Sequence, residues 1–553
     1  MITDNLQDFI LDHKYLLLII LISFIPFIGF LFNPLLFHTH DGLVHIPRIA
    51  AYFKALTDGQ FPVRWASGLN YGYGMPLFNF MYVTPYFISS MLVFIGLGLV
   101  SSFKITIFIS YLLSGIFMFK FSKTFFEDEK KAFLVAVFYQ FFSFRFVDAI
   151  TRASFGEVYA YTFLPLVLYG LTLFFKSGRY IHFLLASIAT GLLIISHNSI
   201  SLAFFGVCFL FVLFFAGNKK NMVFGLSALF TGLLLSSFYW VPAILEHRYT
   251  YGDLFMKDIY LSHFPPLQNL FIPNLFNNQI LYTEGISVQL GVFPTAAILL
   301  SVFLFFRKKK KQLGFNSRLF LFSLTLIIIS IFFMQPVSGF FWQNISLLRQ
   351  FQFPWRLLSV CGFAVSLLAV NFLLIPFFKK KKVFILLIVL VVISNYFYWQ
   401  PNLGVDKIDE KYYWNFPLNT TYYGETDIIW SEGPKKLYPK QRVEVISGKG
   451  EVFDYDQKSN IKNYKVEAVT NIVLVDHTQF FPGWKVYVDK KEVPIQFQDP
   501  NWRGEITFSV PRGNHIVQVK FQETKMRLIS DGLSLVTLIL LIALFPTFRK
   551  HRI

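Results

Sequence analysis

Residues 38–80 read HTHDGLVHIPRIAAYFKALTDGQFPVRWASGLNYGYGMPLFNF and follow an apolar run, 15–32, that is long enough to cross a bilayer. The first eleven residues of this stretch contain five ionisable side chains: His38, His40, Asp41, His45 and Arg48. Ionisable groups at a membrane boundary are unfavourable unless they face water or a site. We therefore expect residues 33–101 to form the first external loop of a multi-span protein and to contribute to its functional site.

The composition is typical of a polytopic membrane protein, since 55% of the 553 residues are hydrophobic, 19% are aromatic and 15% are charged. The net charge of +18 comes largely from short Lys/Arg clusters between apolar runs, such as 307–311 and 379–382. Such clusters are typical of cytoplasmic loops, so we expect no nucleic-acid partner. Cys208 and Cys361 lie inside apolar runs and offer neither a disulfide framework nor a thiolate metal site.

The apolar runs predict about twelve spans with both termini inside. They lie roughly at 15–32, 102–121, 131–147, 158–176, 181–196, 199–216, 222–244, 289–306, 318–335, 357–378, 383–400 and 529–547. The path of one more apolar run, 80–100, determines on which side of the membrane each later loop lies. If this run lies in the interface or re-enters, every Lys/Arg cluster falls inside. The polar loops then fall outside, which predicts an extracytoplasmic active face on the cytoplasmic membrane.

Residues 401–528 differ from the membrane domain predicted for 1–400, because they are less apolar and alternate with a period of two. We expect strands at 464–475, 484–488, 505–510 and 515–521, and turns at 489–491 and 511–513. The pattern predicts an extracytoplasmic β-sandwich. Residues 529–553 are expected to form the final span and a basic cytoplasmic tail.

The first motif of the external loop places Asp41, His45 and Arg48 on one face of a predicted helix, 42–57, although Pro47 would kink that helix or mark its start. A carboxylate at this position can act as general base towards an acceptor hydroxyl. It can also bind a divalent cation, Mg or Mn, together with the imidazoles of His40 and His45. The alternative is that Asp41 only caps the helix.

Two further motifs lie at predicted outer turns. Arg152 and Glu157 could form an ion pair that joins two helix ends. Alternatively, Arg152 contacts a phosphate and Glu157 contacts sugar hydroxyls or a metal. His197, in the sequence SHN, could cap a helix or contact a ligand directly.

The remaining motifs lie in the second half of the membrane domain. A long loop follows Glu246 and carries Asp253 and Glu284, and loops of this length are usually functional or mobile. Arg349 and Arg356 lie at an outer interface, where the charge bias disfavours arginine. A phosphate ligand would compensate the positive charge of these two arginines, because the planar guanidinium group matches the geometry of phosphate oxygens. A lipid headgroup would do the same.

The motifs HDGLVHIPR, RASFGEVYAYTFLPLVLYG, SHN, FYWVPAILE and FPWRLL resemble those of bacterial and archaeal membrane proteins described as 6-pyruvoyl-tetrahydropterin synthase-related. The C-terminal FPGWKVYVDKKEVPI and VPRGNHIVQVKF are similar to the tail of YfhO-like membrane proteins. Pterin chemistry is not implied. Soluble pterin synthases use a three-histidine zinc site and a catalytic cysteine, and this sequence shows no corresponding pattern.

In wider outline the chain resembles GT-C glycosyltransferases, which transfer a sugar from a polyprenyl-phosphate carrier to an acceptor outside the membrane. The resemblance implies that Asp41 is the catalytic acidic residue of the first loop. We expect Glu157 to be the second catalytic carboxylate, with Glu246, Asp253 and Glu284 left as alternatives. The partners implied are a polyprenyl-phosphate-linked sugar, an envelope glycan or protein acceptor, and membrane lipids. Direct attack would invert the anomeric centre. Donor and phosphate are expected to contact His45, Arg48, Arg64, Arg152, His197, Arg349 and Arg356.

The competing classes are a lipid-linked sugar flippase or transporter and a scaffold for envelope assembly. A transporter would place ionisable residues near the middle of its spans and often shows repeated halves. Here the ionisable residues cluster at the outer ends of the predicted spans, which favours chemistry at the surface. An external hydrolase would need a nucleophile elbow or an HExxH motif, and the sequence contains neither.

Overall fold

The computed structural model describes residues 2–278, 285–307, 314–415, 424 and 426–548. Glu284 and most of the 307–311 cluster lie outside the described residues, as do the side chain of Asp253 and the basic residues 549–552.

The helices follow the apolar runs of the sequence, because a backbone in lipid must satisfy its polar groups within the segment itself. Up to residue 215 they are α1 (Ile2–Phe24), α2 (Ile28–Phe32), α3 (Gly42–Thr57), α4 (Leu77–Phe80), α5 (Thr84–Phe94), α6 (Leu99–Phe126), α7 (Glu129–Gln140), α8 (Ser143–Phe146), α9 (Glu157–Ser177), α10 (Tyr180–Ile194) and α11 (Asn198–Phe215). After residue 215 they are α12 (Lys219–Leu235), α13 (Ser237–Glu246), α14 (Gly252–Met256), α15 (Leu267–Phe271), α16 (Val292–Phe306), α17 (Ser317–Phe333), α18 (Gly339–Asn344), α19 (Ser346–Arg349), α20 (Leu358–Leu368), α21 (Pro376–Lys379), α22 (Lys381–Ile393), α23 (Glu410–Asn415) and α24 (Lys525–Phe548).

Within the described residues, six helices are long and apolar enough to cross a membrane, and nine spans result if each of three bent helix pairs counts as one. The predicted spans that remain correspond to α10, α16 and α22, which have 15, 15 and 13 residues. The chain is therefore a helical membrane protein with a C-terminal β-sheet region, as predicted. The number of twelve spans stays a prediction.

Helix α5 occupies the run 80–100 that decides the topology. It has 11 residues, which correspond to about 16 Å of helix, whereas the hydrocarbon core is roughly 30 Å thick. Helix α5 is thus about half as long as the hydrocarbon core is thick. Its length agrees with the prediction that this run does not form a full span.

The strands are β1 (Leu36–Phe37), β2 (Val405–Asp406), β3 (Val443–Ser447), β4 (Gly450–Gln457), β5 (Ile461–Ala468), β6 (Ile472–Gln479), β7 (Trp484–Val488), β8 (Lys491–Val493), β9 (Glu505–Val510) and β10 (Gly513–Phe521). They form an antiparallel sheet of order β4-β5-β10-β7-β8, an antiparallel sheet of order β3-β6-β9, and the pair β1-β2. Strands of the two larger sheets contribute to one apolar core. Whether the two sheets form a sandwich stays a prediction.

Two local predictions for this region have different outcomes. The turn at 489–491 is confirmed, with positive φ at Asp489 and Lys490, as a tight hairpin turn between right-twisted strands requires. The single strand predicted at 464–475 is wrong, because β5 ends at Ala468 and β6 begins at Ile472. The short polar turn with Thr470 and Asn471 separates them, and residues of this type favour turns.

The first external loop is packed against the β region. Trp65 is buried, with its ring 5.2 Å from that of Trp484. The backbone N–H of Gln479 donates to the carbonyl of Tyr73 at 2.9 Å, and Arg442 donates to the carbonyl of Gly72 at 2.8 Å. Two aromatic residues of this loop, Trp65 and Tyr73, thus dock it onto the β region.

Candidate functional site

Asp41 lies at the N-cap position of α3, but its side chain makes no capping hydrogen bond. Thr39 performs that task, since its hydroxyl oxygen accepts from the N–H of Gly42 at 2.8 Å. The backbone N–H groups of His40 and Asp41 donate to the carbonyls of Thr151 and Arg152 at 3.2 and 2.9 Å. The capping alternative for Asp41 is therefore wrong, and the backbone holds the residue beside the 151–152 turn.

The environment of Asp41 changes the proton affinity of its carboxyl group. Burial raises the pKa of Asp41 above its ordinary value, and the charges of Arg152, His40 and Arg356 lower it again in part. A carboxylate with a raised pKa is a stronger base, as long as it remains ionised at the working pH. Asp41 is thus a buried carboxyl group whose affinity for a proton is raised.

Arg152 ends a π-helical turn, Val147–Arg152, and binds two buried carboxylates. One nitrogen, Nη1, donates to Asp148 Oδ1 at 2.6 Å and to Glu157 Oε1 at 3.0 Å. The guanidinium group also lies 4.7 Å from the ring centroid of Trp355. π-helical turns are rare and are often found at functional sites. The ion pair foreseen between Arg152 and Glu157 is present, and Asp148 joins it.

Arg356 approaches the same carboxylate from the segment before α20. Its Nε donates to Glu157 Oε1 at 2.8 Å, and its Nη1 donates to the carbonyl of Phe351 at 2.7 Å and to Gln352 Oε1 at 2.9 Å. The same Glu157 oxygen thus accepts from two arginines. Oε2 of Glu157 is buried and has no hydrogen-bond partner in the part of the chain that the structure describes.

His197 is the N-cap residue of α11, and its Nδ1 accepts from the N–H of Ile200 at 3.2 Å. Because Nδ1 is an acceptor, the neutral ring carries its hydrogen on Nε2, which faces Glu157 Oε1 at 3.9 Å. Burial lowers the pKa of His197 to about 3, although the charge of Glu157 acts in the opposite direction. The ring is thus neutral at physiological pH, and the capping reading of the SHN motif is confirmed.

A stack of aromatic side chains connects His197 to the first external loop. The ring of Tyr82 stacks on His197 at 5.3 Å and on Tyr86 at 5.6 Å. The Tyr86 hydroxyl is 2.8 Å from His45 Nδ1 and shares a hydrogen bond with Arg48. Burial, together with the charge of Arg48, lowers the pKa of His45 well below its ordinary value. His45 and Arg48 are therefore linked to His197, beside Glu157, through Tyr86 and Tyr82.

The structure thus brings together residues from the N-terminal ends of four helices. Asp41, Glu157 and His197 lie at the N-terminal ends of α3, α9 and α11, and Arg356 lies just before α20. Helix N-termini and arginines both favour negative charge. Gly156 permits this close approach, since a Cβ there would lie 2.6 Å from the carbonyl of Ser196.

Two of the arginines expected to contact the donor phosphate, Arg64 and Arg349, lie outside the cluster around Glu157. Arg64 is buried and donates to Glu523 at 2.7 Å and to Asp531 at 2.8 Å, so it joins the first loop to the C-terminal segment that carries these two carboxylates. The motif could not show this, because both carboxylates lie more than four hundred residues later in the sequence. Arg349 is half-buried on α19, outside the buried ion cluster.

The proposed metal ligands and the alternative acids also differ from expectation. In the described ranges, Asp41, His40 and His45 do not form a group able to hold a metal ion. Nδ1 of His45 is hydrogen-bonded to the Tyr86 hydroxyl at 2.8 Å. Glu246 is paired with Arg527 at 2.9 Å and with Asn79 at 2.8 Å, so it belongs to a different buried network.

Sequence reasoning missed four residues of the site. Tyr82 and Tyr86 had no role assigned; Tyr82 lies just before α5 and Tyr86 lies in its first turn. Asp148, four residues before Arg152, had no role assigned either. Tyr161 on α9 donates to Asp148 Oδ2 at 3.0 Å, and no sequence signal points to that contact.

An apolar groove of about 280 Å³ lies between α11 and α17, next to this ion cluster. Phe351 and Leu357 line the groove, and these residues flank Arg356 in the sequence. Arg356 also binds the carbonyl of Phe351. The groove therefore opens beside the arginine that contacts Glu157.

Comparisons with known proteins agree with the membrane character of the chain. The family described as 6-pyruvoyl-tetrahydropterin synthase related domain, a membrane protein, matches residues 78–401, and the chain belongs to this family. The family prediction made from the sequence is thereby confirmed. A search of curated proteins found no match.

Among solved structures, the chain is similar to the mycobacterial arabinofuranosyltransferase AftD, with a TM-score of 0.43, 15% identity, and coverage of 71% of this chain and 27% of that chain. It is also similar to the Archaeoglobus fulgidus oligosaccharyltransferase in the apo form, with a TM-score of 0.45, 13% identity, and coverage of 74% and 60%. The chain thus spans about a quarter of the first protein and three fifths of the second.

Proposed function

We propose that this member of the 6-pyruvoyl-tetrahydropterin synthase-related family is a glycosyltransferase that takes a sugar from a polyprenyl-phosphate carrier. The acceptor is an envelope glycan or protein on the extracytoplasmic side of the cytoplasmic membrane. The observation that carries this proposal is the position of Asp41. Its carboxylate is not used as a helix cap and lies beside the Arg152–Glu157–Arg356 cluster, with an apolar groove next to that cluster.

Asp41 acts as the general base in this proposal. It accepts the proton of the acceptor hydroxyl while the hydroxyl oxygen forms a bond to the anomeric carbon. The bond from that carbon to the phosphate oxygen breaks, and the lipid phosphate leaves with the electron pair. A single displacement of this kind inverts the anomeric centre. The raised pKa of Asp41 favours this role, because it increases the affinity of the carboxylate for the proton.

Arg152 and Arg356 stabilise the negative charge that develops on the departing phosphate. Fixed cations are most effective when they need not reorganise during the reaction. Glu157 and Asp148 hold Arg152 in place, and Glu157 also holds Arg356. Glu157 is thus proposed as a positioning residue, which replaces the catalytic role expected from the sequence.

The groove between α11 and α17 binds the first part of the isoprenoid chain. Its volume of about 280 Å³ is close to the lower end of small-molecule pockets, roughly 300 Å³, so the rest of the chain lies in the bilayer. An isoprenoid that enters beside Phe351 brings its phosphate towards Arg356. A divalent cation, Mg or Mn, bound by Asp41 together with the donor phosphate remains part of the proposal, and a titration of metal against chelator tests it.

The deciding experiment measures transfer from a panel of radiolabelled polyprenyl-phosphate sugars in membranes that contain the wild type or Asp41→Asn. Transfer by the wild type and its loss in an equally abundant Asp41→Asn variant is the expected result. Asp454→Asn, a substitution at an exposed aspartate of the β region, serves as the matched control and should retain transfer.

Transfer that survives Asp41→Asn would contradict the assignment of Asp41 as base. Transfer that is absent with every donor, accompanied by movement of lipid-linked sugars across proteoliposomes, would contradict the enzyme assignment and support a transporter.

A further inference from the structure

A second cavity, of about 490 Å³, lies at the opposite ends of α11 and α17 from the donor groove. Its apolar walls include Phe125, Phe126, Phe215 and Leu319. The donor groove is lined on α17 by residues from Leu326 to Phe333. At 1.5 Å per residue, Leu319 and Phe333 are about 21 Å apart along the helix. The two cavities therefore lie towards opposite ends of α11 and α17.

The basic clusters of the sequence identify the surface on which this cavity lies. Lys131 contributes to its wall from the first turn of α7, and Lys120 and Lys123 lie in the last two turns of the neighbouring α6. Gly314, three residues after the Lys/Arg cluster 307–311, also lines it. Lys/Arg clusters between spans mark the cytoplasmic side. The cavity thus faces the cytoplasmic leaflet.

The polar part of the cavity carries positive charge. Arg318 is exposed and has no ion-pair partner in the ranges that the structure describes. The Nζ atom of Lys131 is 3.9 Å from Asp128 Oδ2, at a half-exposed site where such pairs are weak. The N-terminus of α17 adds the positive end of a helix dipole, with Asn316 as the N-cap residue. Two cations and a helix N-terminus therefore surround a space with apolar walls.

We propose that this cavity binds one anionic phospholipid of the cytoplasmic leaflet, with its phosphate between Lys131 and Arg318 and the start of an acyl chain against the phenylalanines. The combination of cations at the mouth and aromatic walls fits an amphiphile better than a small soluble anion. Basic pockets between transmembrane helices on the cytoplasmic side are typical sites for anionic headgroups. Such a lipid would join α6, α7, α11 and α17, the last two of which also form the donor groove.

The test is native mass spectrometry of the purified full chain in detergent, titrated with phosphatidylglycerol or phosphatidylcholine. One phosphatidylglycerol is expected to bind preferentially. Lys131→Ala/Arg318→Ala should weaken that binding roughly 30-fold, the equivalent of about 1 kcal/mol for each lost cation near an anionic headgroup. Lys219→Ala/Lys220→Ala is the matched control, because it removes two exposed charges that do not line the cavity.

A second variant separates charge from folding, since Lys131→Arg/Arg318→Lys keeps both charges and should restore phosphatidylglycerol binding. Equal binding by the double alanine variant and the control would overturn the proposal. Equal binding of phosphatidylcholine, or displacement of phosphatidylglycerol by millimolar inorganic phosphate, would also overturn it. Sugar transfer is not needed for the measurement, so this proposal can fail or succeed independently of the proposed function.

Discussion

Glu157→Gln is expected to destabilise the protein strongly, because this carboxylate compensates two buried arginines. Its Oε1 accepts from Arg152 at 3.0 Å and from Arg356 at 2.8 Å, and both guanidinium groups are almost fully enclosed. The amide keeps the shape of the side chain and removes its negative charge. Asp148 then remains as the partner of Arg152, whereas Arg356 keeps only neutral acceptors.

The expected loss is about 3–5 kcal/mol in the free energy of unfolding, since removal of one partner of a buried ion pair leaves an uncompensated charge. Part of this loss should be recovered in the double variant Glu157→Gln/Arg356→Gln, because the second substitution removes the unpaired cation. Residues in one ion-pair network typically show coupling energies of about 0.5–3 kcal/mol. The double variant should therefore be more stable than the sum of the single effects predicts.

The assay is denaturant unfolding of the purified protein in detergent, followed by tryptophan fluorescence, with Glu127→Gln as control. Glu127 also pairs with a lysine, Lys176, but its side chain is 76% exposed, and exposed pairs contribute little. A shift of the unfolding midpoint for Glu157→Gln no larger than that for Glu127→Gln would refute the reasoning. Strict additivity of the two single variants would refute the shared-charge account of Arg356.

Three further outcomes are expected. The rate of sugar transfer should fall as the pH falls through the pKa of Asp41, because a protonated carboxyl cannot accept a proton; burial raises that pKa, so a pH–rate profile should show the acid limb above pH 3.8. Gly74→Ala should destabilise the docking of the first loop by about 2 kcal/mol or more. At Gly74 φ is +74° and a Cβ would lie 2.7 Å from the Trp65 ring. At Gly59 φ is +94°, but a Cβ would meet no atom within 4 Å, so Gly59→Ala is the control. Limited proteolysis should cut the Gly74→Ala variant faster than the Gly59→Ala variant. Gly206→Phe should raise the KM for a long-chain donor roughly tenfold, about two buried CH₂ groups of binding energy, and leave that for a short-chain donor unchanged. A Cβ at Gly206 meets no atom within 4 Å, so the new ring can enter the groove, and Gly206→Ala is the control for the helix itself.

Much of the site could be predicted from the sequence, because ionisable residues are rare in such an apolar chain. Asp41, Arg152, His197 and Arg356 each interrupt an apolar context at the end of a predicted span, and the structure gathers all four around Glu157. Arg64 shows the limit of this reasoning. It has the same sequence context as the other arginines, yet its partners are Glu523 and Asp531.

The sequence by itself determined that the chain is a multi-span helical protein with a C-terminal β region. The physical reason is local: in lipid, a long apolar segment must satisfy its backbone polar groups as a helix, and alternating polarity favours strands. Only the tertiary structure decided which polar residues meet. In the structure, the Asp41 side chain does not cap helix α3, because the Thr39 hydroxyl accepts from the N–H of Gly42 instead. The tertiary structure also gave Glu157 a second arginine, Arg356, from a segment 199 residues away, since contacts of this kind depend on how helices pack and leave no periodic signal in the sequence.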